Sequence, residues 1–409
     1  MFLKICQVKA REIIDSRGNP TVEAMVTLSD GSYGVASAPS GASTGKYEAL
    51  ELRDGGNRFF GKGVLTAVSN VNNKIAPELI GCDADFRLID KIMMNIDGTD
   101  SKSNLGANAT LAVSLATAKA CANYYRLPLY KFIGGEFARR IPAPMMNILN
   151  GGAHASNNLD IQEFMIVPVN FDHFHDALRA GCEIYSSLRK LLVAHSYSVS
   201  VGDEGGFAPN LKNEEEAIEL IVNAIENAGY STDQVKISLD IASSEWVSSD
   251  AYLLPKGQVS YTSDELISKW ERLCKNYPIL SIEDALGEED YSAWQRATSK
   301  LGKDCILVGD DLFVTNENRL KYGIENGLAN AILIKPNQIG TLSETLNVIK
   351  RAKENGYYTI ISHRSGETSD TSISDIGVGC GCEFIKAGAP CRMERVTKYN
   401  RLLKIESEF

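Results

Sequence analysis

Short, nearly continuous apolar runs recur through the later part of the chain, and each leads into a polar or charged residue. VKISLD reaches Asp240, ILSIED Glu283, CILVGDD Asp310, AILIK Lys335, YTIISHRS His363 and EFIK Lys386. Amphipathic stretches such as TSDELISKWERLCKNY and GTLSETLNVIKRAKENG lie between them. From Glu283 onward the interval is about 25 residues, the length of one strand, one helix and two loops in parallel βα units. Continuous rather than alternating apolarity means that both faces of each strand are buried. A barrel ringed by helices is the economical closure, and the reactive groups of such a barrel stand at the strands' C-terminal ends. The run ends are therefore the candidate site.

The chain has 409 residues, more than a single core usually serves. A Gly- and Pro-containing stretch, FIGGEFARRIPAP, separates the βα rhythm from a different pattern. Before it come alternating segments, TVEAMVTL and SYGVASA, with the hairpin signal Asp30-Gly31 between them, and then helical stretches such as GANATLAVSLATAKACANYY. The expected class is α/β: a smaller N-terminal α+β domain over residues 1–134 and a C-terminal, parallel-rich β/α barrel over 135–409.

No stretch approaches the roughly 18 consecutive apolar residues of a membrane helix, and Arg11 and Glu12 interrupt the start before a signal-type core develops. Nine scattered cysteines without a zinc-type CxxC pair suit reduced thiols, so a cytoplasmic setting is expected. A net charge of -10 argues against a nucleic-acid footprint and requires a local positive site for any anionic substrate.

Asp240, Glu283 and Asp310 each have an ordinary reading as a helix cap or loop acid. At the mouth of one barrel, with Lys335 and Lys386 on later strands, their like charges repel, and a hard divalent cation would relieve them. Magnesium suits carboxylate oxygens; zinc more often recruits His or Cys.

The segments DSRGNPTVE, PSGASTG, EALELRDG, LGAN, NILNGG, QEFMIVP, GDEGGFAP, LDIASSE, SIED, GDDLFVTN, KPNQIGT, SHRSGET, IKAGAP and ERVTKYNRLL follow one another in order. Together, from about Ala10 to the C-terminus, they resemble the enolase family. That resemblance implies a carbon–oxygen lyase that reversibly dehydrates 2-phosphoglycerate to phosphoenolpyruvate with two Mg²⁺ ions. It implies Asp240, Glu283 and Asp310 as ligands of the first ion, and Ser43 with the substrate phosphate at the second. Lys335 would take the C2 proton, and Glu204, supported by Glu163, would protonate the departing 3-hydroxyl. Two physical expectations accompany these roles. The Lys335 pKa should fall at a cation-rich, partly dry mouth, and Glu204 and Glu163 should share a proton.

The resemblance further implies that Arg364 and Ser365 hold the phosphate, that His154 and His363 lie close to the substrate, that Lys386 adds charge near its carboxylate, and that Gln162 hydrogen-bonds at the metal site. SGASTGKYEA nearly imitates a nucleotide-binding loop, but Gly41 and Gly45 enclose only three residues and Tyr47 follows Lys46. It is read instead as a lid, Ser40 to Gly45, that carries Ser43. The expected partner is a small phosphorylated hydroxy acid, and the expected assembly a homo-oligomer, dimer or octamer. Rivals are another acid-sugar dehydratase of the superfamily or a non-catalytic binding homologue. The spaced basic residues Arg392, Arg395, Lys398, Arg401 and Lys404 could suggest RNA contact, and are read instead as the solvated face of a terminal amphipathic helix.

Overall fold

A computed structural model describes residues 3–41, 45–249 and 251–409. The chain opens with β1 (Ile5–Ile14), β2 (Pro20–Leu28) and β3 (Tyr33–Ser37), an antiparallel sheet in that order. Asp30 and Gly31 make the β2–β3 turn: Gly31 has φ +91, and the Asp30 carboxylate accepts from the Ser32 amide at 3.0 Å. Alternation along β2 buries Val22, Ala24, Val26 and Leu28. Against them packs the helix Ala107–Tyr124, whose alanines allow close approach. Sheet and helix meet so closely that a Cβ on Gly34 would lie 2.2 Å from the Ala116 carbonyl oxygen. Only glycine fits there.

The remaining strands are β4 (Ala143–Asn150), β5 (Glu163–Pro168), β6 (Val235–Asp240), a small side sheet of β7 (Val247–Ser248), β8 (Ala251–Leu253) and β9 (Ser260–Tyr261), and then β10 (Ile279–Glu283), β11 (Ile306–Gly309), β12 (Ala331–Ile334), β13 (Tyr358–Ser362) and β14 (Phe384–Lys386). All but the side sheet close a barrel in the order β10-β11-β12-β13-β14-β4-β5-β6. All neighbours are parallel except those of β5, which runs against both β4 and β6. The reason is the connection. Parallel neighbours need a crossover, usually a helix, whereas only a short 3₁₀ turn, Gly152–His154, lies between β4 and β5. Two helices, Phe174–Ala194 and Glu214–Asn227, then precede β6.

This reversal matters for the site. Because β5 points the other way, its first residue, Glu163, pairs with Asp240, the last residue of β6. Glu163 therefore sits at the mouth where the parallel strands end.

Strand alternation decides which side chains point inward. Met145, Met165, Val167, Val308, Ala331, Leu333 and Ile360 form an apolar cluster separate from the larger core. Two residues beyond Val308 and Leu333 come Asp310 and Lys335, and two before Met165 comes Glu163, all of the same parity. A plug of apolar side chains thus carries a polar layer above it.

Candidate active site

Lys335 follows β12 with extended backbone, φ -119 and ψ 102, as a residue before proline should be. The Thr315 hydroxyl accepts from its amide at 2.8 Å, and its ammonium forms a short ion pair with Asp310. Gln338 donates to the other Asp310 oxygen at 3.0 Å. The Asp284 carboxylate fixes the turn from below, accepting from the amides of Asp310 and Asp311, each at 2.9 Å.

The ammonium of Lys386 lies 2.9 Å from Asp240, 2.9 and 3.0 Å from the two oxygens of Glu283, and 3.2 Å from Glu163. All four residues are buried. Gln162 donates to Asp240 at 3.4 Å. Burial and the neighbouring Asp240 charge push the Glu283 carboxyl well above its ordinary range. Burial disfavours charge on Lys386, yet Asp240, Glu163 and Glu283 hold its pKa well above the usual lysine value. An ammonium here occupies the place that a cation among acids would take.

The expected metal acids stand apart from the tightest acidic groups. At the cleft, among the described residues, the groups whose ligand atoms lie within 4.8 Å of one another are Asp284, Asp310 and Asp311, and His154, Glu163 and Glu204. Asp240, Glu283 and Asp310 are not together in any of these groups; Lys386 pairs with the first two and Lys335 with the third. Ser43 lies outside the described residues, as does the middle of the segment expected to be a lid. Its flank is anchored: Ser40 and Gly366 exchange backbone hydrogen bonds of 2.8 and 2.9 Å.

Glu204 accepts from Asn147 at 3.0 Å and lies 3.5 Å from His363 Nε2 and 4.0 Å from His154 Nδ1. Glu163 lies 3.4 Å from the same His154 nitrogen. Burial and the Glu204 charge raise Glu163 well above the carboxylate range. Burial opposes the charge on Glu204 too, but His363, His154 and Arg395 outweigh it and hold Glu204 well below that range. Burial and the neighbouring charges thus favour a proton on Glu163 over one on Glu204. Burial likewise disfavours the ammonium of Lys335, and Asp310 more than offsets it, so its pKa lies above the ordinary value rather than lowered as expected. The paired Asp310 carboxylate thus favours the ammonium form of Lys335.

Arg395 decides the tautomer of His363. Its guanidinium approaches His363 Nδ1 at 2.7 Å and donates to the Arg364 and Ser365 carbonyls at 2.6 and 2.5 Å. Arginine has no acceptor. Nδ1 must therefore present its lone pair and Nε2 its N–H toward Glu204. Burial drives His363 down to about 4, which keeps the ring neutral at physiological pH.

Arg395 and Lys398 overturn the reading of the terminal helix as a solvated basic face. On Met393–Glu406 both are buried, Arg395 on His363 and Lys398 donating to Glu367 at 2.7 Å. Buried acceptors at the back of the cleft pull them inward. Their three-residue spacing signalled one helix face, but not that it points at the site. Arg364 is also occupied differently from expectation: its guanidinium donates to Glu48 at 2.8 and 3.2 Å, so a carboxylate takes the fork expected for phosphate. Ser365 is buried beside it. Sequence reasoning missed Glu48, Asn147 and Asp311, although each lies in or next to a quoted motif.

The cleft is lined by His154, Gln162, Glu163, Glu204, Asp240, Asp310, Lys335, His363, Arg364, Ser365 and Lys386 together with Asp284 and Asp311. Buried His154 Nδ1 and Asn147 Oδ1 lack hydrogen-bond partners among the described residues, as a cleft built for a polar ligand would leave them. Among the described residues no helix is long and apolar enough to cross a membrane. The family model for the enolase N-terminal domain matches residues 5–133, and that for the enolase C-terminal TIM barrel domain matches residues 138–409. With a reversed β5, acids and lysines converging on one barrel mouth, and family matches over nearly its whole length, the chain belongs to the enolase family.

Proposed function

We propose that this chain reversibly dehydrates 2-phospho-D-glycerate to phosphoenolpyruvate, serving glycolysis and gluconeogenesis. The observation that carries the reading is the opposition of Lys335 to the Glu163–Glu204 pair. In the strand order, β12 and β5 are four steps apart in either direction around the barrel. A base and an acid on opposite walls suit loss of a proton from one face of a substrate and of hydroxyl from the other.

The donor set fits a divalent cation: buried, mutually repelling carboxylates already gather an ammonium among them. Asp240, Glu283 and Asp310 would hold one Mg²⁺ ion, and Ser43 with the substrate phosphate a second. When bound, the ions offset the negative charge that builds on the substrate carboxylate as the adjacent proton leaves, an arrangement already recognised for enolase-superfamily sites with a lysine or histidine base.

The residues divide the remaining work. Lys335 takes the C2 proton once Asp310 turns from it and the amine becomes neutral. Glu204 takes up the proton that Glu163 holds beside it and delivers it to the departing 3-hydroxyl. His363, its tautomer set by Arg395, and His154 orient that pair. Arg364 and Ser365 hold the phosphate after Glu48 releases the guanidinium, Gln162 steadies the metal acids, and Lys386 faces the substrate carboxylate. We also propose a domain division at residues 134 and 135, a homo-oligomeric assembly of two or eight chains, a cytoplasmic location and no nucleic-acid partner.

The test follows the ultraviolet absorbance of phosphoenolpyruvate from 2-phosphoglycerate, with Mg²⁺ and with a chelator. Activity that needs the metal and fails on the unphosphorylated hydroxy acid supports the reading. Turnover of the unphosphorylated acid instead would point to another dehydratase of the superfamily.

A further inference from the structure

Outside the cleft, the segment entering the helix Phe174–Ala194 brings two of the chain's five histidines against the terminal helix. Glu406 turns its carboxylate onto the start of the first helix. One oxygen accepts from the Phe174 amide at 2.5 Å and the other from the His175 amide at 3.0 Å. Those bonds fix the carboxylate, and its remaining lone pairs face two imidazoles. His173 Nδ1 lies 4.0 Å from one oxygen and His175 Nδ1 3.5 Å from the other, with the rings stacked at 5.4 Å. One ligand atom from each of the three residues lies within 4.8 Å of the others. In tetrahedral zinc sites, bond lengths near 2.0–2.2 Å put ligand atoms about 3.3–3.6 Å apart, a small rotation from this arrangement.

The other ring nitrogen of His175 supplies the second observation. Nε2 lies 3.3 Å from the Asp176 carboxylate, which is itself paired with Arg179 at 3.3 Å. A neutral imidazole donates from one nitrogen only. Carboxylates face both ring nitrogens, at 3.3 and 3.5 Å, so whichever nitrogen carries the single proton, the other turns its lone pair on an acceptor. Only a proton or a metal ion between them makes that contact favourable. Metal-bound histidines commonly give their second N–H to a carboxylate, which is the place Asp176 holds.

We propose that His173, His175 and Glu406 form a surface site for a divalent transition metal of the zinc class, with Asp176 as the positioning residue for His175. Two imidazoles and a carboxylate leave a fourth position for water, a donor set that zinc accepts and magnesium does not favour. The histidines are largely exposed, 64% and 58% by side chain, so an ion can enter from solvent. Binding links the start of one helix to the end of another and is independent of the reaction proposed above.

The full chain and the double variant His173→Gln/His175→Gln are titrated with zinc chloride in excess Mg²⁺, and folding is checked by circular dichroism. The variant should bind one zinc fewer per chain, and cobalt(II) should give tetrahedral-site visible absorption that only the parent shows in full. Asp176→Asn should keep the stoichiometry and weaken zinc binding about 10-fold. Equal zinc stoichiometry and equal cobalt spectra in parent and double variant overturn the site; the histidines are then protonated partners of a carboxylate that only caps a helix. Unchanged affinity in Asp176→Asn overturns the positioning role.

Discussion

Replacing Lys386 with methionine keeps an unbranched stem but removes the ammonium that touches Asp240, Glu283 and Glu163 within 2.9–3.2 Å. Lys386 is 3% exposed and the three acids are 4%, 1% and 2% exposed, so water cannot take its place. Breaking a buried ion pair from one side costs about 3–5 kcal/mol, because the remaining charge is stranded. Protonation limits the loss here. Glu163 and Glu283 already lie well above the carboxylate range through burial and neighbouring acids, so each can take up a proton instead. The expected loss is therefore about 3 kcal/mol near pH 8 in a chelator, the low end of that range. Carboxyls raised further in the folded state bind more protons there than in the unfolded chain, so the variant's stability should fall as pH rises and its deficit shrink toward about pH 5. A bound cation should supply the missing charge and reduce the loss below about 1 kcal/mol in saturating Mg²⁺. Urea denaturation of parent and variant, at both pH values and with and without the metal, measures all of this. An equal loss in every condition would refute the reasoning, since the ammonium would then be an ordinary core ion pair rather than the occupant of a cation's place.

Lys335→Ala should abolish exchange of the C2 proton of 2-phosphoglycerate with solvent, followed by NMR in heavy water, whereas Glu204→Gln should retain exchange and lose dehydration; equal loss of both steps would count against this division of labour. Asp90, on the helix Phe86–Asp97, is pushed up to about 6 by burial, so its folded form holds a proton that the unfolded chain releases at lower pH. Stability should therefore decline as pH rises from about 4 to 6, and Asp90→Asn should remove that decline and gain about 1–3 kcal/mol near pH 7.5 by urea unfolding. Gly34→Ala would set a methyl carbon 2.2 Å from the Ala116 oxygen and 2.4 Å from the Ala120 nitrogen, both backbone atoms. It should cost about 3 kcal/mol or more, read as a lowered urea midpoint, and a normal midpoint would mean that sheet and helix can separate cheaply.

Much of this architecture is written locally. Apolar runs that end in Asp240, Glu283, Asp310, Lys335 and Lys386 specify strands, and strand parity then points each terminal polar group along the barrel axis. The Asp30-Gly31 turn and the extended residue before Pro336 are likewise fixed by neighbours in the chain. What tertiary structure alone decided depends on partners far apart in sequence. The reversal of β5, which brings Glu163 to the mouth, follows from how its neighbours pair. Arg395 and Lys398 look like a solvated basic stripe until the acceptors of His363, Arg364, Ser365 and Glu367 meet them in space. The charge states of Lys335, Glu163 and Glu204 depend in the same way on distances between carboxylates, ammonium groups and imidazoles that no stretch of sequence contains. Local pattern sets which way a side chain points; its protonation is set by the low-dielectric company it meets there.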